Sequence, residues 1–236
     1  MTNTAKTYIA MVLVTGAAVL AFAAGTWNST GLLQFSVYLG LAALASTLKV
    51  RIPGMEGTVS PNFVFLLLAM AACSFSQVVV ISLVAALMQC MWAPTKRVRM
   101  VQVTFSAATL VISTAVAFKL SHMFLGAHAG ESSAPFVLLA GSLYFPLNSA
   151  MVSIVVGLVQ RQPLRQVTLR CYEWVFRHFM GGIIFAGLIS SAYSSAVAWR
   201  GALVLLPAIV LGYVYYSRRA ERVPLPVPRA GTSAAD

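Results

Sequence analysis

Residues 62–93 decide the fold, and they read NFVFLLLAMAACSFSQVVVISLVAALMQCMWA. A membrane helix needs about 20 consecutive apolar residues, so this run is too long for one ordinary span. Ser74, Ser76 and Gln77 place a polar break within it. We interpret Asn62–Ala93 as a short helical hairpin whose first arm either crosses fully or is re-entrant. A single long tilted helix is the alternative.

The composition of the whole chain assigns it to the membrane. Hydrophobic residues make up 59% of the 236 residues and charged residues 9%, whereas soluble domains carry about 25% charged residues. So few charges cannot coat a water-exposed surface. This excludes a soluble enzyme, a nucleic-acid-binding domain and a secreted disulfide scaffold, and the three cysteines include no CxxC pair.

Eight apolar stretches predict an all-α fold, a polytopic helical bundle integral to the membrane. We expect residues 1–217 to form a single transmembrane helical domain, followed by a short basic, proline-containing cytoplasmic tail at 218–236. The stretches run Thr7–Trp27, Gly31–Leu48, Asn62–Ser74, Ser76–Ala93, Val101–Met123, Phe136–Val159, Phe179–Ala198 and Gly201–Ser217.

The distribution of basic residues predicts the orientation. With both termini in the cytoplasm, fourteen of the sixteen Lys and Arg residues lie inside, and only Lys119 and Arg200 lie outside. Treating the hairpin as one span would place Lys49 and Arg51 outside. We therefore predict a multi-pass protein of the bacterial cytoplasmic membrane. The N-terminal run, with an Ala-x-Ala sequence at 21–23, also resembles a cleavable signal peptide, and that alternative stays open.

One cytoplasmic segment, from Pro163 to His178, has an amphipathic helical pattern. Its polar face is basic, as in helices that lie at the membrane surface. Gly181-Gly182 is predicted to turn the chain into the membrane after it. A plain membrane-surface anchor is the alternative to a docking surface. The candidate contacts with anionic lipid or a partner are Arg51, Arg165, Arg170 and Arg177.

The sequence carries no pattern typical of catalysis. None of its five acidic residues is predicted mid-membrane, where proton-coupled transporters need one. Walker, HExxH and GxSxG motifs are missing. His122 and His128 lie near Glu131, but they do not complete a metal site. We expect no enzyme activity, no catalytic residue, no metal, no cofactor and no nucleic-acid partner.

Two features indicate a binding site. The loop at 49–62 is rich in turn residues, and Ser60-Pro61 predicts the start of a half-length helix with Ser60 as its N-cap. A helix N-terminus at membrane depth can bind anionic or carbonyl groups. In the sixth stretch, Pro146 predicts a kink within a helix that carries two polar residues on one face. A structural corner and a clamp between helices are the respective alternatives. The candidate ligand-binding residues are Tyr144, Asn148 and Asn62.

Small residues at four-residue spacing form two stripes that allow helices to approach closely. The Ala17 stripe comprises Ala17, Ala21 and Gly25. The Gly182 stripe comprises Gly182, Ala186 and Ser190.

Three segments together resemble the membrane-embedded N-terminal sensor regions of bacterial signalling proteins. They are LKVRIPGMEGTVSPNFVFLLLA at 48–69, KRVR at 96–99 and YFPLNSAMVSIVVGLVQRQPLRQV at 144–167, and the likeness covers roughly Leu41 to Ser190. Such regions precede diguanylate cyclase, HD-GYP phosphodiesterase or histidine-kinase domains. The resemblance implies a non-enzymatic sensor or scaffold that binds a small ligand or a membrane partner. Because the tail at 218–236 contains no output domain, we expect a signalling role to need a separate subunit.

The stretch at 49–92 is also similar to the substrate-binding subunits of energy-coupling-factor vitamin transporters. Those subunits too have a loop, a short helix and a turn into another helix. Here Arg51 lies where an acidic loop residue is expected in that family. The second resemblance implies, as the alternative function, a substrate-binding subunit of a small-molecule transporter. The expected partners are membrane lipids and a separate signalling or coupling subunit.

Overall fold

The computed structural model describes residues 2–51, 58–92, 99–126, 133–160, 164–192 and 198–221. Within these ranges, the side chains at 50–51, 58–59, 164–175, 177–178, 198 and 215–221 are outside the description.

The described part of the chain is all-α, as predicted, with eight helices and one two-residue antiparallel β-ladder. Each predicted apolar stretch corresponds to one helix. The elements are α1 Asn3–Gly25, α2 Leu32–Thr47, β1 Val50–Arg51, β2 Thr58–Val59, α3 Asn62–Ala72, α4 Phe75–Met91, α5 Met100–Leu125, α6 Ala134–Gln160, α7 Leu164–Ala192 and α8 Ala198–Glu221.

Three of these helices, α1, α5 and α6, are long and apolar enough to cross a membrane, judged by length and composition. The apolar parts of α2, α3, α4, α7 and α8 are shorter, at 10–17 residues. The finding supports a membrane protein.

The outer surface of the helices is apolar as well. Val204 and Leu211 of α8 are each 71% exposed, and Val14 of α1 is 70% exposed. Ile184 and Leu188 of α7 also face outward. Soluble monomers rarely expose large contiguous apolar surfaces. These exposed apolar side chains are compatible with a membrane protein.

The predicted helical hairpin is confirmed. The break between α3 and α4 falls at Cys73 and Ser74. The two arms are antiparallel, because Nδ2 of Asn62 at the start of α3 lies 3.3 Å from Oε1 of Gln89 near the end of α4. The alternative of one long tilted helix is therefore wrong.

α3 lies at the centre of the bundle. Residues 62–70 are all buried, and the helix packs against α2, α4, α6, α7 and α8. At 1.5 Å per residue its length is about 16 Å, roughly half of a hydrocarbon core of about 30 Å. A helix this short needs protein around it on every side, and the other helices provide that.

Side-chain hydrogen bonds define the two ends of the bundle. At the Gln77 end, Nε2 of Gln77 donates to the carbonyl oxygens of Asn28 at 3.1 Å and Thr30 at 2.7 Å. These bonds tie the α1–α2 connection to the start of α4. At the Lys49 end, Nζ of Lys49 donates to the carbonyl oxygen of Trp92, which joins the ends of α2 and α4. Helices α1 to α4 therefore alternate in direction between these two ends.

α7 corrects one prediction. The chain does not turn at Gly181-Gly182, because α7 runs without a break from Leu164 to Ala192. The amphipathic segment and the following apolar stretch form one helix. A Cβ at Gly182 would lie 2.2 Å from Cζ of Phe63, so glycine lets α7 approach α3 here. This contact offsets the cost of about 1 kcal/mol for glycine within a helix.

The two stripes of small residues behave differently. The Gly182 stripe packs inside the bundle, where Ala186 and Ser190 are buried. The Ala17 stripe is exposed, so it does not pack inside the bundle. Instead, α1 packs on α5 through Gly16, where a Cβ would lie 2.7 Å from Cβ of Ala108.

Candidate functional site

Asn62 is the first residue of α3, and its side chain links three helices. Its Nδ2 donates to Oγ of Ser46 on α2 at 3.0 Å and to Oε1 of Gln89 on α4 at 3.3 Å. Ser46 in turn donates to the carbonyl oxygen of Ala42 at 2.7 Å. Both Asn62 and Ser46 are buried. This arrangement holds the start of α3 in place.

The start of α3 differs by one residue from the prediction. Pro61, not Ser60, is the N-cap, and the Pro61 carbonyl accepts from the N–H of Val64 at 3.2 Å. Proline has no side-chain acceptor, so the cap makes no side-chain hydrogen bond. Oγ of Ser60 is buried, and it has no hydrogen-bond partner in the described part of the chain.

An aromatic cluster adjoins the other side of α3. Phe179 of α7 lies at its centre, stacked on Phe63 of α3 with ring centroids 4.1 Å apart. Phe179 also contacts Phe145 at 4.8 Å and Tyr144 at 6.2 Å, both from α6. Tyr144 is 2% exposed. The predicted site residue Tyr144 therefore lies one ring away from the start of α3.

Asn148 follows Tyr144 by one helical turn. Pro146 lies between them inside α6, which continues from Ala134 to Gln160. The Asn148 residue is half-buried, but its Oδ1 is fully buried and has no hydrogen-bond partner within the described ranges. An unpaired buried acceptor costs about 1–3 kcal/mol. Asn148 thus carries a hydrogen-bonding capacity that the described residues do not use.

No hydrogen bond joins the three candidate ligand-binding residues to one another in the described part of the chain. The recorded side-chain hydrogen bonds of Asn62 go to α2 and α4, and none joins it to Tyr144 or Asn148 among the described residues. Tyr144 contacts Phe179 of α7 instead. The sequence pattern predicts that these residues face the interior of the bundle. It does not reveal that the Asn62 amide bonds to α2 and α4 whereas Oδ1 of Asn148 has no partner in the described residues.

The side chains of the four basic candidates lie outside the described part of the structure. Arg51 lies in β1, and Arg165, Arg170 and Arg177 lie in the first half of α7. Sequence reasoning missed Lys49, which bonds to the end of α4. Burial lowers the pKa of Lys49, and the neighbouring Cys90 thiol partly opposes that shift. The one feature of the sequence that indicates a structural role for Lys49 is its position between an apolar helix and a turn-rich loop.

Residues of the Gln77 end have packing roles. The ring of His122 stacks on Phe118 with centroids 4.0 Å apart, and its Nδ1 lies 2.9 Å from the Phe118 carbonyl oxygen. The described residues contain no group of three metal-ligating side chains, and His128 and Glu131 lie outside them. Nζ of Lys119 lies 4.8 Å from the ring centroid of Phe75, a cation–π contact.

A shallow groove of about 370 Å³ lies between α1 and α4, away from these residues. It is open to the outer surface and none of the predicted site residues lines it. The lining residues are Leu20, Ala23, Ala24, Trp27, Val79 and Val80.

Comparisons with protein-family models, curated proteins and solved structures find no match to this chain.

Proposed function

We propose that this chain is a non-enzymatic integral membrane protein that acts as a sensor or binding module for a small ligand or a membrane partner. The observation that carries the proposal is the buried, unpartnered Oδ1 of Asn148 among the described residues. Native proteins pair nearly all buried polar atoms, so an exception calls for an explanation. A ligand that donates one hydrogen bond to Oδ1 would provide it.

The surroundings of Asn148 suit a ligand of mixed character. One turn away, Tyr144 and Phe145 belong to an aromatic cluster that reaches α3 through Phe179. Binding sites for small molecules are mostly apolar, with a few polar groups that fix orientation. The proposed ligand is therefore largely apolar and carries one donor group.

The same contacts would transmit a conformational change from a ligand at Asn148 to α7. Pro146 removes one backbone hydrogen bond from α6, which makes bending easiest there. α6 packs tightly on α7, since a Cβ at Gly141 would lie 2.6 Å from Cγ1 of Ile183. A ligand that changes the bend of α6 would move α7, whose first half carries Arg165, Arg170 and Arg177. A separate signalling subunit would read that movement at the cytoplasmic surface.

The proposal includes the orientation derived from the basic residues. All eight helical segments belong to the membrane domain, both termini are cytoplasmic, and the membrane is the bacterial cytoplasmic membrane. The Lys49 end then faces the cytoplasm and the Gln77 end faces outward.

Two leucine substitutions test ligand binding at Asn148. Asn148→Leu removes an amide whose acceptor is unpartnered, so the ligand-free protein should keep its stability while losing a co-purifying small molecule in native mass spectrometry. Asn62→Leu is the matched control, because it breaks two recorded hydrogen bonds. It should lower stability by roughly 1–2 kcal/mol. If Asn148→Leu instead destabilises as Asn62→Leu does, and the bound molecules stay the same, Asn148 is a helix clamp.

The alternative function is a substrate-binding subunit of a small-molecule, vitamin-type transporter. The exposed Ala17 stripe on α1 favours it, because small residues at a lipid-facing surface allow a second membrane protein to pack closely. Ala21→Leu should then abolish co-purification of an ATPase-linked coupling subunit. Unchanged recovery of such a subunit would remove α1 as the contact.

A further inference from the structure

The β-ladder connects the segment after α2 to the segment before α3. β1 pairs with β2 in antiparallel register, with Val50 opposite Val59. Lys49 directly precedes Val50 and Ser60 directly follows Val59, so the two residues flank the same end of the ladder although they are eleven positions apart in sequence.

Ser60 is the first observation that indicates a ligand at this corner. The residue is 3% exposed, and its Oγ has no hydrogen-bond partner within the ranges described. It directly precedes Pro61, the N-cap of α3. A hydroxyl in this position can donate to an oxygen that lies just beyond the N-terminus of the helix.

The start of α3 adds a second kind of donor. The first N–H groups of a helix have no acceptor within the helix, and they carry a partial positive charge. Pro61 offers no side-chain acceptor to them. The Asn62 side chain does not cap the helix either, because its recorded bonds run to Ser46 and Gln89.

Lys49 adds a full positive charge. One N–H of its ammonium group donates to the Trp92 carbonyl oxygen, and an ammonium group has three donors. The described side chains contain no carboxylate to pair with it. Lys49 and Ser60 flank the same end of the β-ladder, and Ser60 directly precedes the N-cap of α3. An anionic oxygen bound at this corner would be an acceptor for the hydroxyl, the helix N–H groups and the ammonium group.

The surface beside this corner is apolar. Leu44 is 56% exposed on the last turns of α2, and Met91 and Trp92 are 61% and 54% exposed at the end of α4. These side chains flank Lys49 on both helices that it joins. An anion that carries hydrocarbon chains would contact these apolar side chains, whereas a free phosphate would make no apolar contact with them.

We propose that the corner formed by Lys49, Ser60 and the N-terminus of α3 binds the phosphate group of an anionic phospholipid. The proposal rests on the proposed function for its membrane setting alone, and the site is separate from Asn148. Its occupant would fix the position of α3 from the Lys49 end.

Defined bilayers test the proposal. The full chain is placed in nanodiscs of phosphatidylcholine, either alone or mixed with phosphatidylglycerol. Thermal unfolding and lipid retention in native mass spectrometry are then measured. Phosphatidylglycerol should raise the unfolding temperature and remain bound. Lys49→Gln and Ser60→Ala should each weaken its retention about tenfold, because each removes a hydrogen bond to a charged group.

Two variants serve as matched controls. Lys119→Gln removes the same charge at the Gln77 end, and Ser190→Ala removes another buried hydroxyl without a partner in the described residues. Both should retain phosphatidylglycerol as the unaltered protein does. Equal losses in Lys119→Gln would show a general charge effect and overturn the site.

Three further outcomes would overturn it. Ser60→Ala could leave lipid retention unchanged, which would show that the hydroxyl does not reach the phosphate. Inorganic phosphate in phosphatidylcholine nanodiscs could stabilise the protein as well as phosphatidylglycerol does, which would exclude a lipid as the occupant. Phosphatidylglycerol could fail to raise the unfolding temperature. Because retention of a small molecule by Asn148 is scored separately, failure here is distinct from failure of the proposed function.

Discussion

Substitution of Gly182 tests whether α7 is held against α3 as the structure indicates. A Cβ at Gly182 would lie 2.2 Å from Cζ and 2.5 Å from Cε2 of Phe63, and 2.9 Å from Cγ2 of Val64. The Phe63 ring cannot move aside easily, because it is 1% exposed and stacked on Phe179 at 4.1 Å. Gly182→Ala should therefore push α7 away from α3.

The magnitude follows from two opposing effects. Overpacking a core costs about 1–3 kcal/mol, and an overlap this severe belongs at the upper end. Alanine recovers about 1 kcal/mol of helix propensity relative to glycine. The net loss should be about 2 kcal/mol. For a chain of this size, that corresponds to a fall of roughly 4–8 °C in unfolding temperature.

The neighbouring glycine supplies the control. A Cβ at Gly181 would meet nothing within 4 Å, so Gly181→Ala should leave stability unchanged or raise it by up to about 1 kcal/mol. Both variants are compared by thermal unfolding in the same detergent. Phe63→Leu combined with Gly182→Ala should recover part of the loss, because it removes the clashing ring atoms. Equal stability of the two alanine variants would refute the contact between α7 and α3.

Three further predictions concern side-chain hydrogen bonds. Tyr8→Phe removes the bond from Tyr8 Oη to the Met151 carbonyl oxygen, and it should cost about 0.6 kcal/mol in thermal unfolding; no change would favour cleavage of the first segment. Gln77→Leu should accelerate hydrogen exchange in the α1–α2 connection and lower stability by about 1–3 kcal/mol. In detergent without phospholipid, burial lowers the pKa of Lys49. The unfolded chain then binds more protons just below the ordinary lysine pKa, and stability should rise with pH there. Lys49→Gln should flatten that rise.

Much of the secondary structure could be predicted from the sequence. Long apolar runs and polar breaks are local signals, and both the hairpin break near Ser74 and the eight helices of the described chain follow from them. Helix boundaries were less certain. The Ser60-Pro61 pattern predicts Ser60 as the N-cap of α3, but the helix starts one residue later, with Pro61 as the N-cap. Ends of helices depend on backbone geometry that residue types only suggest.

The continuity of α7 and the inward face of α1 depend on tertiary packing, which local sequence patterns do not reveal. Gly181-Gly182 suggests a turn by composition, yet α7 continues through both residues and Gly182 packs closely against Phe63. In α1, apolar and small residues occur on every side. The pattern therefore could not show that Gly16 packs inward while the Ala17 stripe faces outward.

The hydrogen-bond partners of the candidate site residues could not be predicted from the sequence either. Asn62 and Asn148 are both amides in apolar surroundings, and the sequence treats them alike. Asn62 finds a partner in Gln89, 27 positions away, whereas Oδ1 of Asn148 has none in the described residues. Contacts of that sequence separation are invisible to local patterns. The distinction between a bonded clamp and an unused acceptor required the structure.

The most direct test of the account is the sidedness of single cysteines in a background without the native ones. Asn3→Cys and Met100→Cys should react with a membrane-impermeant maleimide only after cells are permeabilised. Asn28→Cys and Phe124→Cys should react in intact cells. Three passes, α2, α3 and α4, separate Asn28 from Met100, so these two positions must lie on opposite sides. Labelling of both from the same side would contradict the hairpin as a membrane element and the orientation built on it.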